Sequence, residues 1–299
     1  MAQYYYNDGA YFENADYDYR PRRRRKRRRI NSDILFLMVM AVLFVILFFM
    51  CRGIYHMLHK ADGTSAQTVQ TMAPDEDNSE LTDEEKLNYI LSNSGAYPTV
   101  LQELAQKNSD TIDYVYQYPF VDSTTSASLT DEELSGGIPL LLQWDSRWGY
   151  FSYGSGLLGY TGCGPTCLSM VAVGLTGDAT ATPAAVASYA EQNGYYASGT
   201  GTTWALMSEG CQHYGLQAEE LPLSEQKMAA ALSAGQPIIA SMGPGEFTDN
   251  GHFIVITGYD DGAFTIHDPN SIQRSSRTWS YDELQKQIKN LWAYSAMRN

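Results

Sequence analysis

An α+β domain is predicted for the second half of this 299-residue chain, on three observations from its sequence. Between about residues 160 and 235 apolar residues recur at helical spacing between capping and glycine signals. From residue 236 onward short runs rich in β-branched residues replace them. Two of those runs are joined by Asp260-Asp261-Gly262, a hairpin turn signal. Helices first and antiparallel strands later are the arrangement of an α+β domain. A content of 44% hydrophobic and 18% charged residues suits one globular domain with appendages.

The appendages come first. Residues 1–33 form a Tyr-rich and basic tail without apolar periodicity, so it has no means to bury a core. Arg22 to Arg29, with Lys26 among them, are eight consecutive cations, yet the whole chain carries a net charge of -14. Everything downstream is therefore acidic, which argues against a nucleic-acid partner. Residues 34–51 are an unbroken apolar run, within a helix expected to extend up to about 58, and at 1.5 Å per residue these 18 residues reach about 27 Å, close to the hydrocarbon thickness of a bilayer. A transmembrane helix is predicted there. The cationic octet just before it places the N-terminus in the cytoplasm and the rest of the chain outside, as a single-pass protein of the cell membrane. The apolar core exceeds that of a signal peptide, and the expected anchor is uncleaved. Residues 59–80 are polar and acidic, a linker.

Residues 81–137 read as a helical prelude and loop. Thr82-Asp83-Glu84-Glu85 is a capping box ahead of Leu87, Ile90 and Leu91. Tyr97-Pro98 starts a second helix, and Ser109 to Tyr116 a third with Ile112, Val115 and Tyr116 inward. Such short helices are expected to pack on the domain C-terminal to them. Residues 121–137, ending in Gly136-Gly137, read as a loop.

The domain proper is predicted over 138–299. Ile138 to Trp148 is an extended opening, followed by a Gly- and Tyr-rich loop from Gly149 to Tyr160. Gly162-Cys163-Gly164-Pro165 then begins a helix that buries Leu168, Val171 and Leu175 and ends near Gly177. Thr182-Pro183 caps a helix to Gly194, Thr202-Thr203 one through Leu206, Met207 and Tyr214 to Gly215, and Ser224 one through Met228 and Leu232 to Gly235. Strands are predicted at Gln236–Met242, His252–Tyr259 and Ala263–Asp268. A short helix from Tyr281 to Ile288 and a last strand over Leu291–Ala296 complete the chain.

Cys163 is the candidate nucleophile. Glycines on both sides permit a tight turn and leave the sulfur reachable, and a thiol at a helix N-terminus feels the positive end of the dipole, which favours the thiolate. Cys167, one turn further in, reads as core. A cysteine nucleophile needs a base from elsewhere and a group that holds the base. His252 begins a strand after a Gly-Pro-Gly loop, and Asp268 ends the strand hairpinned to it, so both return to the same end of the sheet. Gln143 carries an amide able to donate to an oxyanion. With so few cysteines and no zinc-like spacing, neither a disulfide scaffold, a metal nor a cofactor is expected.

Gln143-Trp144-Asp145-Ser146-Arg147-Trp148, Gly162-Cys163-Gly164-Pro165-Thr166, Gly251-His252-Phe253-Ile254-Val255 and His267-Asp268-Pro269 together resemble the papain-like cysteine peptidases of family thirty-nine, in the thirty-nine-like branch related to bacteriocin-processing peptidases. The resemblance covers about 138–299. It implies the papain-like fold, with Gln143 as oxyanion donor, Cys163 as nucleophile, His252 as base and Asp268 as its orienting acid. A membrane-anchored peptidase acting on a peptide or protein substrate is the resulting expectation. The alternatives are a non-catalytic peptide- or cell-wall-binding module on the same fold and a peptidoglycan peptide hydrolase. No Walker-type sequence or multi-span region accompanies the domain, so it departs from the transporter-fused form.

Overall fold

Continuous apolar runs in the C-terminal half require cover on both faces of a sheet, and the computed structural model, which describes residues 81–121 and 128–297, supplies it. The tail, the predicted membrane span at 34–51 and the linker at 59–80 lie outside the described residues. Among the described residues no helix is long and apolar enough to cross a membrane.

Three short helices open the described chain: α1 (Asp83–Ser92), α2 (Thr99–Lys107) and α3 (Ile112–Gln117). The capping box at Thr82 forms, with reciprocal bonds to Glu85. Ser109–Thr111 is a separate 3-10 turn ahead of α3. The helices bury Ile90, Leu101, Ile112 and Val115 in a small core of their own, to which the domain contributes Tyr150. The Tyr114 and Tyr150 rings stack at 4.6 Å, Tyr114 donates to the Gly149 carbonyl and Tyr150 to the Tyr114 carbonyl. The prelude is thus stapled to the opening of the domain.

Within the segment read as a loop, α4 (Asp131–Ser135) forms a second capping box between Thr130 and Glu133. Glu133 also receives both guanidinium nitrogens of Arg147, a partner from outside the segment that local sequence does not announce. Beyond it come a two-residue hairpin, β1 (Ser152–Tyr153) and β2 (Gly156–Leu157), the turn α5 (Leu158–Thr161) and the long helix α6 (Cys163–Thr176). Gly177 ends α6 in the left-handed conformation at φ 69°, as its position in the sequence predicts. Helix α7 (Pro183–Gln192) and a second small hairpin, β3 (Tyr196–Ala197) with β4 (Gly201–Thr202), come next.

The helix predicted from Thr203 to Gly215 is in fact α8 (Trp204–Ser208) and a 3-10 turn over Gly210–Tyr214. Gly210 interrupts it: a glycine inside a helix costs about 1 kcal/mol relative to alanine. Leu216–Glu220 is then a strand, β5, which sequence reading passed over because only one of its residues is buried. After α9 (Glu225–Ser233) come β6 (Ile238–Met242), β7 (His252–Asp260), β8 (Ala263–His267), the turn α10 (Ile272–Ser275), β9 (Thr278–Ser280), α11 (Tyr281–Leu284) and β10 (Ile288–Ala296). The last helix stops at Leu284, so the final strand starts three residues earlier than predicted.

The sheet is six-stranded in the order β5-β10-β6-β7-β8-β9, antiparallel throughout. Asp260 pairs with Ala263 across Asp261 and Gly262, both at positive φ (45° and 81°), which suits the right-handed twist of the strands. Alternate residues divide between two cores. Ile239, Phe253 and Val255 pack with Leu168 and Val171 of α6, while Ile238, Ala240, Ile254 and Ile256 pack with Met228 of α9. Each fully buried aliphatic side chain is worth about 1.5–3 kcal/mol, enough to lock the register. That register fixes where β7 begins and β8 ends.

Candidate active site

The first turn of α6 holds Cys163, and nothing in its sequence caps it: Gly162 at the N-cap has no side chain to offer. The first-turn N–H groups, that of Cys163 among them, are therefore available to an outside acceptor. Pro165 in the same turn has no N–H to satisfy. Cys163 is partly exposed, whereas Cys167 is buried, and burial pushes the Cys167 thiol well above its ordinary range.

His252 is the first residue of β7 and is 7% exposed. Asp268 follows the last residue of β8 and is fully buried. Their side chains meet, with His252 Nε2 2.7 Å from Asp268 Oδ1. An ionised carboxylate can only accept, so Nε2 carries the proton. The Cys163 side chain and the His252 ring line the same cavity, and with Nε2 engaged by Asp268 it is Nδ1 that remains. Burial opposes charge on this imidazole, but the Asp268 carboxylate and the Cys163 sulfur outweigh it, and the ring is pushed up to about 10.

Asp268 is enclosed by donors. Oδ1 also accepts from the Asn270 backbone N–H at 2.8 Å, and Oδ2 accepts from Arg274 Nε at 2.5 Å. Burial penalises its charge, but His252 and then Arg274 more than compensate and hold the carboxyl below its ordinary range. Sequence reading missed Arg274, Asn270 and Ser275, whose hydroxyl accepts from the Asp268 N–H. The available signal was Ser271, which caps α10 through the Arg274 N–H and thereby turns Arg274 back towards Asp268.

Gln143 is 3% exposed, and its backbone N–H donates to the Pro269 carbonyl at 2.7 Å, tying it to the residue after Asp268. Its side-chain nitrogen donates to the Gly159 carbonyl at 3.0 Å. One amide hydrogen is thus engaged and the second remains, while Oε1 has no protein partner. Gln143, Cys163 and His252 line one cavity of about 1120 Å³, with Asp268 behind its wall. Its other walls come from α2, the loop after β3 and the loop from Gly243 to Gly251. Trp204, 49% exposed, stands in this cleft with its indole N–H on the Ser241 hydroxyl.

The other described histidines are placed elsewhere. His267 Nδ1 donates to the Pro139 carbonyl, with burial lowering its pKa, and His213 stacks on Tyr189. His56 and His59 lie outside the described residues. Among the described residues no cluster of three His, Cys, Asp or Glu side chains could hold a metal ion.

The solved structures that match include two peptidase domains. One is the peptidase domain of Streptococcus ComA, a bi-functional ABC transporter involved in a quorum sensing pathway; it is 19% identical over 46% of this chain and 93% of that one, at a TM-score of 0.35. The other, described as a C39-like peptidase from Bacillus anthracis, is 16% identical over 55% of this chain and 98% of that one, at 0.34. No curated protein matches. Residues 135–299, which hold the whole six-stranded sheet and all four predicted site residues, match the family model described as Peptidase_C39 like family. With more than half of its length in that match, the chain belongs to this family.

Proposed function

We propose that the protein is a membrane-anchored cysteine peptidase, hydrolysing peptide or amide bonds outside the cell membrane. The observation that carries this reading is the His252 ring, which lines one cavity with Cys163 and is held at 2.7 Å by the buried Asp268 carboxylate. In this mechanism Cys163 attacks the scissile carbonyl as thiolate, and the imidazolium of His252 gives its proton to the leaving amine. A water, deprotonated by His252, then releases the acyl group. Asp268 keeps the proton of the ring on Nε2 and so presents Nδ1 to the sulfur throughout. The Cys163 backbone N–H and the second N–H of Gln143 are the donors for the oxyanion.

The anchor rests on the apolar run 34–51 and the cations before it, which support a cytoplasmic N-terminus and a peptide, protein or cell-wall substrate met outside. The test is mass spectrometry of peptide and muropeptide mixtures incubated with the wild-type protein and with Cys163→Ala. New fragments made by the wild type alone support hydrolysis, and their composition separates a protein substrate from a cell-wall one. Identical mixtures from both proteins would instead favour a non-catalytic binding module.

A further inference from the structure

We propose that the helical prelude is part of the catalytic apparatus, with Asp110 acting as a positioning residue that holds Arg274 against Asp268. This rests on the peptidase reading above, but Asp110 lies outside the stretch, 135–299, by which the family is recognised.

The connection is a continuous series of contacts. Asp110 Oδ2 accepts from the Ser271 hydroxyl at 3.2 Å, from the Ile272 N–H at 2.9 Å and from the Gln273 N–H at 3.4 Å. Those are the leading donors of α10, and Ser271 Oγ in turn accepts from the Arg274 N–H. Arg274 Nε reaches Asp268 Oδ2, and Asp268 Oδ1 reaches His252. A second tie runs beside the first: Asn108 Nδ2 donates to the Asn270 carbonyl at 2.5 Å, while Asn108 Oδ1 accepts from the Asp110 N–H.

Physical reasons make this tie necessary. A helix of four residues does not hold itself, since nucleation is unfavourable and its first N–H groups have no internal acceptor. The turn carrying Arg274 therefore depends on an acceptor from elsewhere, and Asp110 is it. A fully buried carboxylate is in turn costly unless its charge is compensated and its oxygens are bonded. The charged and titratable groups around Asp268 are His252 from β7, Arg274 from α10 and Cys167 from α6. If α10 loosens, Arg274 leaves while burial stays, and the carboxyl takes up a proton at higher pH. His252 then loses the charge that fixes its tautomer. The prelude also supplies one wall of the cleft through Glu103, Lys107 and Asn108, so its seating affects substrate and base together.

The test uses the full chain in detergent micelles and two readouts: the carboxyl 13C titration of Asp268, and the rate of Cys163 alkylation against pH. Asp110→Ala is expected to raise the Asp268 midpoint in the same direction as Arg274→Met, by a smaller amount. The acid limb of alkylation should rise with it, slowing labelling near pH 5 by about three- to tenfold while the plateau near pH 7.5 stays within about twofold. Asp110→Asn, which keeps an acceptor oxygen, should fall between wild type and Asp110→Ala. Asp113→Ala, which removes a partner of Lys86 in the same prelude, should move neither readout. An Asp268 midpoint unmoved in Asp110→Ala, or moved equally by Asp113→Ala, overturns the proposal. Failure of the peptidase reading is distinguishable: wild-type Cys163 would then show no selective alkylation, and the carboxyl titration would still decide the role of Asp110.

Discussion

Gly164 and Thr202 are so close that a Cβ on the glycine would come within 2.7 Å of the threonine Oγ1 and Cγ2. The first turn of α6 therefore presses directly on the β3–β4 hairpin, which forms part of the cleft wall. Thr202 has little room to give way, because it is buried and its hydroxyl is engaged at 2.8 Å with that of Tyr153.

Gly164→Ala sets two effects against each other. Helix propensity favours alanine by up to about 1 kcal/mol, whereas overpacking costs about 1–3 kcal/mol. Since the clash is with a pinned side chain, net destabilisation is expected. Urea unfolding of residues 72–299, a compact unit of the chain, measures it, and a stabilised variant would refute the contact.

The three described cysteines should differ sharply towards iodoacetamide at pH 7.5. Cys163 is partly exposed; Cys167 is fully buried with its thiol pushed far up, and burial raises Cys211 to about 11. Peptide mapping of a brief labelling reaction should find the adduct on Cys163, with Cys167 and Cys211 modified only after denaturation. Equal and slow labelling of all three would contradict a nucleophilic site.

Stability should depend on pH through the His252–Asp268 pair. The His252 pKa is raised in the folded state, to about 10, so its contribution is complete below the unfolded value near 6.5 and declines as pH rises towards 10. That of Asp268 is lowered, so its contribution is present above about 4 and is lost as pH falls through the folded value. Between pH 6.5 and 8, below the ordinary thiol range, unfolding free energy should fall with rising pH, and His252→Gln should flatten the slope. An unchanged slope in that variant would show that the pair does not couple to folding.

Gln143→Ala should lower kcat by about 10²–10³ with a much smaller effect on KM, the signature of a donor used in the transition state. It also strips the Gly159 carbonyl of its partner, so a loss of melting temperature accompanies it. Steady-state kinetics on a peptide identified as substrate separates the two: a rise in KM at constant kcat would place Gln143 in substrate binding instead.

What the sequence made legible was whatever short-range rules govern. The Asp261-Gly262 turn, the glycine that ends α6 and the capping box at Thr82 each depend on a few adjacent residues. The register that brings Asp268 to His252 was readable because alternation and one hairpin settle it. Arg274 was not, since its role depends on a four-residue turn whose acceptor, Asp110, lies far away in the chain. The same holds for α4, stabilised by Arg147 from the domain, and for β5, an edge strand whose partner β10 is distant and whose own residues are largely polar. The engagement of Gln143 with Gly159 was likewise hidden, being a contact between side chain and distant backbone.

The β7–β8 hairpin sets an order of assembly. His252 and Asp268 are 16 residues apart in the chain, so closing one tight turn brings the two side chains together at a small loss of loop entropy. Cys163 reaches them only when the helical half docks onto the completed sheet. The three side chains therefore come together only when the last long-range contacts form, so the assembled cluster is a late product of folding.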